Sequence, residues 1–315
     1  MATQLLFDLL GPEVEDAEEE TFLLFSQEIP SQNLGFVDAR ASSLDLTVAG
    51  KDYVIHQSPA VLSSNRAGGT TGAVLWKVTP MFADWIASPG NILWKTGVLA
   101  STSAVIELGC GISGLTGMAL AQRVSRYVLT DQPYVSKWVD ANLAENAANL
   151  SASGPVATRR RGKAAAATTA PAGNRVAFAP LDWELDEVTP RLTGSAAVAS
   201  FDAVVACDCI YNDALIRPLV QTCVDVCKLR TRAAAGAEGE DEEEGLIINP
   251  KSPRFASSHS SSAIRKSSRA GSRSSTGTSV HGGCPSSHLS DALRANAGFV
   301  IHVGILRTKP LESHY

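Results

Sequence analysis

The residues able to do chemistry cluster in two places. The first is the run Val105-Ile106-Glu107-Leu108-Gly109-Cys110-Gly111-Ile112-Ser113-Gly114-Leu115; the second is Asp131, twenty positions after Gly111. Glycine admits conformations and close approaches that a Cβ forbids, so a glycine turn after an apolar strand can seat a nucleotide cofactor against the main chain. That spacing alone is shared by many nucleotide sites. Glu107 narrows it. A carboxylate two residues before the first glycine suits a cofactor with a positive centre and no pyrophosphate, namely S-adenosylmethionine. Asp131 closes the β-rich Tyr127-Val128-Leu129-Thr130, where βαβ geometry sets an acid against ribose hydroxyls, and an ionised carboxylate accepts from both hydroxyls of a diol. Plainer readings stay open here: a turn that merely ends a buried strand, and an Asp131 that caps a helix over Tyr134–Leu150 behind Pro133.

The elements that must hold these groups are legible in outline. Leu44–Val48 and Tyr53–His56 alternate around Ala49-Gly50-Lys51 and predict a β-hairpin. Thr79-Pro80 predicts the start of a helix running to about Ser88, with Thr79 as its cap. Ordered structure is expected to resume over Val176–Trp183, Phe201–Cys207 predicts a buried parallel strand, and Leu215, Ile216, Leu219, Val220, Cys223 and Val224 predict the helix after it. Gly298–Leu306 predicts a last strand, and of the tract before it only Gly245–Asn249 offers another.

At 315 residues, 44% hydrophobic and with net charge −5, the chain is long enough for one full α/β core and is no basic nucleic-acid binder by bulk charge. Met1–Glu20 has no cationic start and no apolar stretch is long enough to span a bilayer, so neither signal peptide nor membrane span is expected, and a soluble cytoplasmic monomer is. The six cysteines include no CxxC pair and read as buried thiols without a metal. His56 and His302 sit in strand patterns as packed residues. Composition divides the chain into an acidic segment 1–30, expected as one loosely attached helix, a main domain 31–230, a low-complexity stretch 231–290 and a C-terminal strand segment 291–315. Within these, 151–174 reads as a flexible basic insertion and Lys251–Ser287 as disordered.

Taken together, Gly72-Ala73-Val74-Leu75-Trp76, the Glu107–Gly114 motif, Asp131, Leu181-Asp182-Trp183 and Asp208-Cys209-Ile210-Tyr211 resemble the seven-β-strand protein-lysine methyltransferases. The stretch from Leu34 to Gly72 is similar to the fungal branch of that family, the ribosomal lysine N-methyltransferase 5 group. The likeness covers about 30–150, 176–229 and 296–308, and departs from the family between about 250 and 290. It implies an α/β fold with a Rossmann-like seven-stranded methyltransferase sheet, helices on both faces and an N-terminal β-hairpin extension. It also implies S-adenosylmethionine as cofactor and a ribosomal protein as partner, with no direct nucleic-acid contact.

Residue by residue, the resemblance sets Trp76 in the cofactor pocket and Glu107, Gly109, Cys110 and Gly111 along the methionine and backbone side. Asp131 would take the ribose, Asp182 and Trp183 the adenine, and the Cys207 backbone would approach from its strand end. Asp208 and Tyr211 would meet the acceptor at the mouth. Methyl transfer to an amine needs a neutral nucleophile in line with the departing sulfur, so alignment and desolvation dominate, and a carboxylate with a phenol can orient an ammonium and help it lose a proton. Amide-nitrogen methylation would place Asn-Pro-Pro-Tyr where Asp208–Tyr211 stands, so an amine acceptor is favoured. Other readings stay open from sequence: Trp76 and Trp183 as packing aromatics, Asp208 as a helix cap over Tyr211, a small-molecule methyltransferase, a non-catalytic cofactor-binding descendant, and a nicotinamide-dependent dehydrogenase.

Overall fold

The computed structural model describes residues 2–10, 14–26, 35–66, 69–150, 175–235, 245–251, 276–281 and 300–308. The chain opens with helices α1 (Ala2–Leu9) and α2 (Ala17–Ser26), strands β1 (Ser43–Val48) and β2 (Lys51–His56), and helices α3 (Pro59–Leu62), α4 (Val78–Ala87) and α5 (Ile92–Lys95). Strands and helices then alternate as β3 (Ala104–Leu108), α6 (Leu115–Leu120), β4 (Arg126–Asp131), α7 (Ser136–Glu145), α8 (Ala147–Leu150), β5 (Val176–Pro180), β6 (Ala203–Val205) and α9 (Asp213–Ala235). Strands β7 (Gly245–Lys251), β8 (Thr276–His281) and β9 (Val300–Thr308) follow.

Among the described residues, seven strands form one sheet in the order β5-β4-β3-β6-β7-β9-β8. β3 to β7 are parallel, and β9 runs against both β7 and β8. This is the expected Rossmann-like sheet. β3 is buried along its whole length, as a strand covered on both faces must be. Alternation divides its side chains: Val105 packs with α4 and α6, and Ala104, Ile106 and Leu108 pack with Leu219, Cys223 and Val226 of α9. Strand order reverses between β3 and β6, so the crevice beyond their C-terminal ends is where a ligand is expected. Among the described residues no helix is long and apolar enough to cross a membrane.

The separate β1–β2 hairpin turns through Ala49 and Gly50, both at positive φ (51° and 74°), as a two-residue turn matching strand twist requires. Side-chain amides on α7 and α8 hold its outer edge. Asn142 and Asn146 each take one β2 residue by both backbone groups, His56 and Val54 respectively, and Asn149 donates to the Asp52 carbonyl.

Several expectations are corrected. The described residues within 1–30 form two helices, and the first is docked: Leu6 is wholly buried and joins the main core with Leu10. α4 starts at Val78 with Lys77 at its cap, and the Thr79 N–H bonds back to the Trp76 carbonyl. The single helix expected over Tyr134–Leu150 is a 3-10 turn at Pro133–Val135 followed by α7 and α8, broken at Asn146, whose amide is drawn to β2. β6 ends at Val205, so Cys207 lies beyond the strand. Thr276–His281, inside the tract expected to be disordered, forms an edge strand because β9 offers it a row of backbone partners. Of the rest of the 231–290 tract, 231–235 end α9 and 245–251 form β7; its remaining residues, and the expected basic insertion at 151–174, lie outside the described residues.

Candidate functional site

The turn after β3 is held from the neighbouring strand. The Thr130 carbonyl accepts from both the Gly109 and Cys110 N–H groups, at 2.9 and 3.0 Å, and the Thr130 hydroxyl donates to the Glu107 carbonyl at 2.7 Å. The Gly111 N–H donates to Asp131 Oδ2 at 2.9 Å and the Ile112 N–H to the Gly72 carbonyl at 2.8 Å. Gly109 and Gly111 have φ of +72° and +58°, which glycine adopts without strain. A Cβ on Gly109 would lie 2.6 Å from Cys209 Sγ and 3.2 Å from Trp183 Cζ2; one on Gly111 would lie 3.1 Å from the Gly72 carbonyl oxygen.

Beyond this turn opens a pocket lined by ten of the eleven residues singled out from sequence: Trp76, Gly109, Cys110, Gly111, Asp131, Asp182, Trp183, Cys207, Asp208 and Tyr211. Glu107 is the exception. Its side chain points into the α6 side of the sheet, is 2% exposed, and accepts the Tyr127 hydroxyl at 2.9 Å. Burial pushes its pKa up to about 7, opposed by that hydrogen bond. It supports the turn from beneath.

Asp131 lines the pocket with Oδ1 also accepting from the Gln132 N–H at 2.7 Å; burial raises its pKa to about 6 against those two backbone bonds. Each oxygen keeps a further lone pair for a ligand. Asp182 accepts from the Glu184 N–H, and Trp183 packs partly against the core on the α9 side of the sheet. Among the described residues the buried Trp183 Nε1 has no hydrogen-bond partner. Trp76 donates to the Thr71 carbonyl and lies 4.4 Å from the Phe36 ring.

At the mouth, Asp208 sits at φ +56°, one of two non-glycine residues at positive φ among those described. The helix cap is Asn212, whose Oδ1 accepts the Ala214 N–H, so Asp208 does not fill that role. The half-buried Tyr211 phenol is raised in pKa by burial, with Thr71 beside it opposing the shift, and so holds its proton at neutral pH. Cys110, Cys207 and Cys209 are buried thiols raised by burial.

Sequence reasoning missed several lining residues. Gly72 and Cys209 lie inside motifs it singled out, and Tyr134 had no such signal; behind the lining, Arg66 sits 4.0 Å over the Tyr134 ring and donates to Gln132 Oε1.

Four successive N–H groups, from Gly109 to Ile112, are therefore committed to protein acceptors, so these four are not offered to a pyrophosphate. Asp131 and the Trp183 ring, both in the pocket lining, remain to meet ribose and base. The residues fit S-adenosylmethionine. Residues 56–159 match the lysine methyltransferase family.

Ribosomal lysine N-methyltransferase 5 of Zygosaccharomyces rouxii is 34% identical over 194 residues, covering 54% of this chain and 59% of that protein. The protein of the same name from Saccharomyces cerevisiae is 30% identical over 236 residues, 58% of this chain and 64% of its own length. A Schizosaccharomyces pombe protein named diaminohydroxyphosphoribosylamino-pyrimidine deaminase is 34% identical over 137 residues, 43% of this chain and 33% of its own. The chain thus spans less than two thirds of each of these relatives.

Proposed function

We propose that this chain is an S-adenosylmethionine-dependent protein-lysine N-methyltransferase acting on a large-subunit ribosomal protein in the cytoplasm, as a monomer and without contacting nucleic acid. The observation that carries the reading is the shared pocket: Asp208, in left-handed backbone, and the protonated Tyr211 line the same space as a glycine turn whose N–H groups from Gly109 to Ile112 are bonded within the protein.

Bound in that space, S-adenosylmethionine supplies an electrophilic methyl group on a sulfonium. Asp131 accepts the ribose hydroxyls, Trp183 and Asp182 take the base, and Gly109, Cys110 and Gly111 let the methionine end lie close to the main chain. Trp76 and the Cys207 backbone close the opposite side, and Glu107 supports the turn. The acceptor lysine enters as an ammonium. Asp208 attracts and orients it, Tyr211 donates or accepts a hydrogen bond without becoming a phenolate, and the proton leaves through water, so that a neutral amine lines up with the methyl.

Incubating the chain with methyl-labelled cofactor and yeast large ribosomal subunits tests this. Label in one protein band, mapped by mass spectrometry to lysine, is the expected result. Label confined to small molecules overturns the protein substrate, and S-adenosylhomocysteine binding without any transfer overturns the catalytic reading.

A further inference from the structure

The Ile112 peptide is gripped at both ends. Its N–H goes to Gly72, and its carbonyl accepts from Asn142 Nδ2 at 2.8 Å. Asn142 is wholly buried in α7. The same amide donates to the His56 carbonyl at 3.0 Å, and its oxygen accepts the His56 N–H at 2.7 Å. One side chain thus ties three separate pieces together: the hairpin strand β2, helix α7 and the cofactor turn. Asn146, one helical turn later, offers a built-in comparison. It is also buried and holds Val54 of β2 in the same two-way manner, at 3.0 and 2.8 Å, but its remaining bond goes back to the Asn142 carbonyl and not to the turn.

We infer that Asn142 is a positioning residue for the cofactor, transmitting the hairpin's hold on α7 to the Ile112 peptide and so setting the shape of the turn at Gly111. The inference rests on the cofactor reading above. Gly111 stands beside Ile112 and bonds to Asp131, so a shift of the Ile112 peptide changes both the close approach at Gly111 and the direction of the ribose-binding carboxylate. The hairpin, remote from the pocket lining, then acts as a brace for the site, and its attachment contributes to affinity as well as to folding.

Calorimetric titration of S-adenosylhomocysteine into the parent, Asn142→Ala and Asn146→Ala tests this, with melting temperatures recorded for each and binding measured where circular dichroism shows every variant folded. Both substitutions are expected to lower the melting temperature. Only Asn142→Ala is expected to weaken binding, by roughly three- to tenfold, the scale of one hydrogen bond, and in turnover to raise the cofactor KM while kcat holds. If Asn142→Ala does not fold, Asn142→Asp serves, because it keeps the acceptor for the His56 N–H and loses the donor to the Ile112 and His56 carbonyls. Equal affinity of parent and Asn142 variant, or an equal loss in the Asn146 variant, overturns the inference while leaving the cofactor reading intact. No binding by the parent overturns both.

Discussion

Asp131 Oδ2 and the Gly111 N–H are 2.9 Å apart, so the acid at the end of β4 and the second glycine of the turn form one unit. Burial raises Asp131 to about 6. Its folded pKa lies above the ordinary 3.8, so the proton is held more tightly in the folded protein; this stability is present below about pH 4 and is lost as pH rises through about 6. Cofactor binding runs the other way, because an ionised carboxylate is the better acceptor for ribose. S-adenosylhomocysteine affinity should rise between pH 5 and 7, and Asp131→Asn should weaken binding and remove that rise. Calorimetry over the range checks it.

Glu107 has the same sign at a higher window. Burial lifts it from 4.5 to about 7, so its contribution to stability is full below about pH 4.5 and lost as pH rises through 7. Glu107→Gln keeps an oxygen for the Tyr127 hydroxyl and should flatten the fall in melting temperature over this interval. An unchanged slope would mean another group is responsible.

Asp208→Asn preserves shape and removes the charge that orients an ammonium. Methyl transfer should drop by roughly two orders of magnitude or more, and S-adenosylhomocysteine affinity should stay near that of the parent. Tyr211→Phe should slow transfer as well. Asp208→Gly relieves a left-handed backbone that costs roughly 1 kcal/mol, so that variant should melt higher while losing transfer. A lower melting temperature would show that Asp208 is needed by the fold.

Gly117→Ala separates propensity from packing. Alanine is the better helix former, yet a Cβ there would lie 2.7 Å from the Tyr127 ring and 3.0 Å from Leu129. Packing should win, with a loss of roughly 1–3 kcal/mol in urea unfolding. Gly111→Val should instead abolish S-adenosylhomocysteine binding, because it adds bulk 3.1 Å from the Gly72 carbonyl at a φ of +58°.

Much of the site was legible in the amino-acid order because a βαβ unit is local. Gly109, Gly111 and Asp131 follow from an apolar strand, a glycine turn and a second strand within about thirty residues, and Asp208 and Tyr211 follow their own strand in the same way. These are short-range patterns that spacing records directly. Tertiary structure decided the rest. That Glu107 faces Tyr127 beneath the turn depends on which side of β3 receives α6, and that the polar segment Thr276–His281 becomes a strand depends on an edge supplied by β9. Asn142 reaches His56 across 86 positions and Ile112 across 30, and Tyr134 meets Arg66 only because the folded chain returns there. Such pairings leave no periodicity or spacing in the sequence, since the backbone groups they satisfy are the same for every residue type.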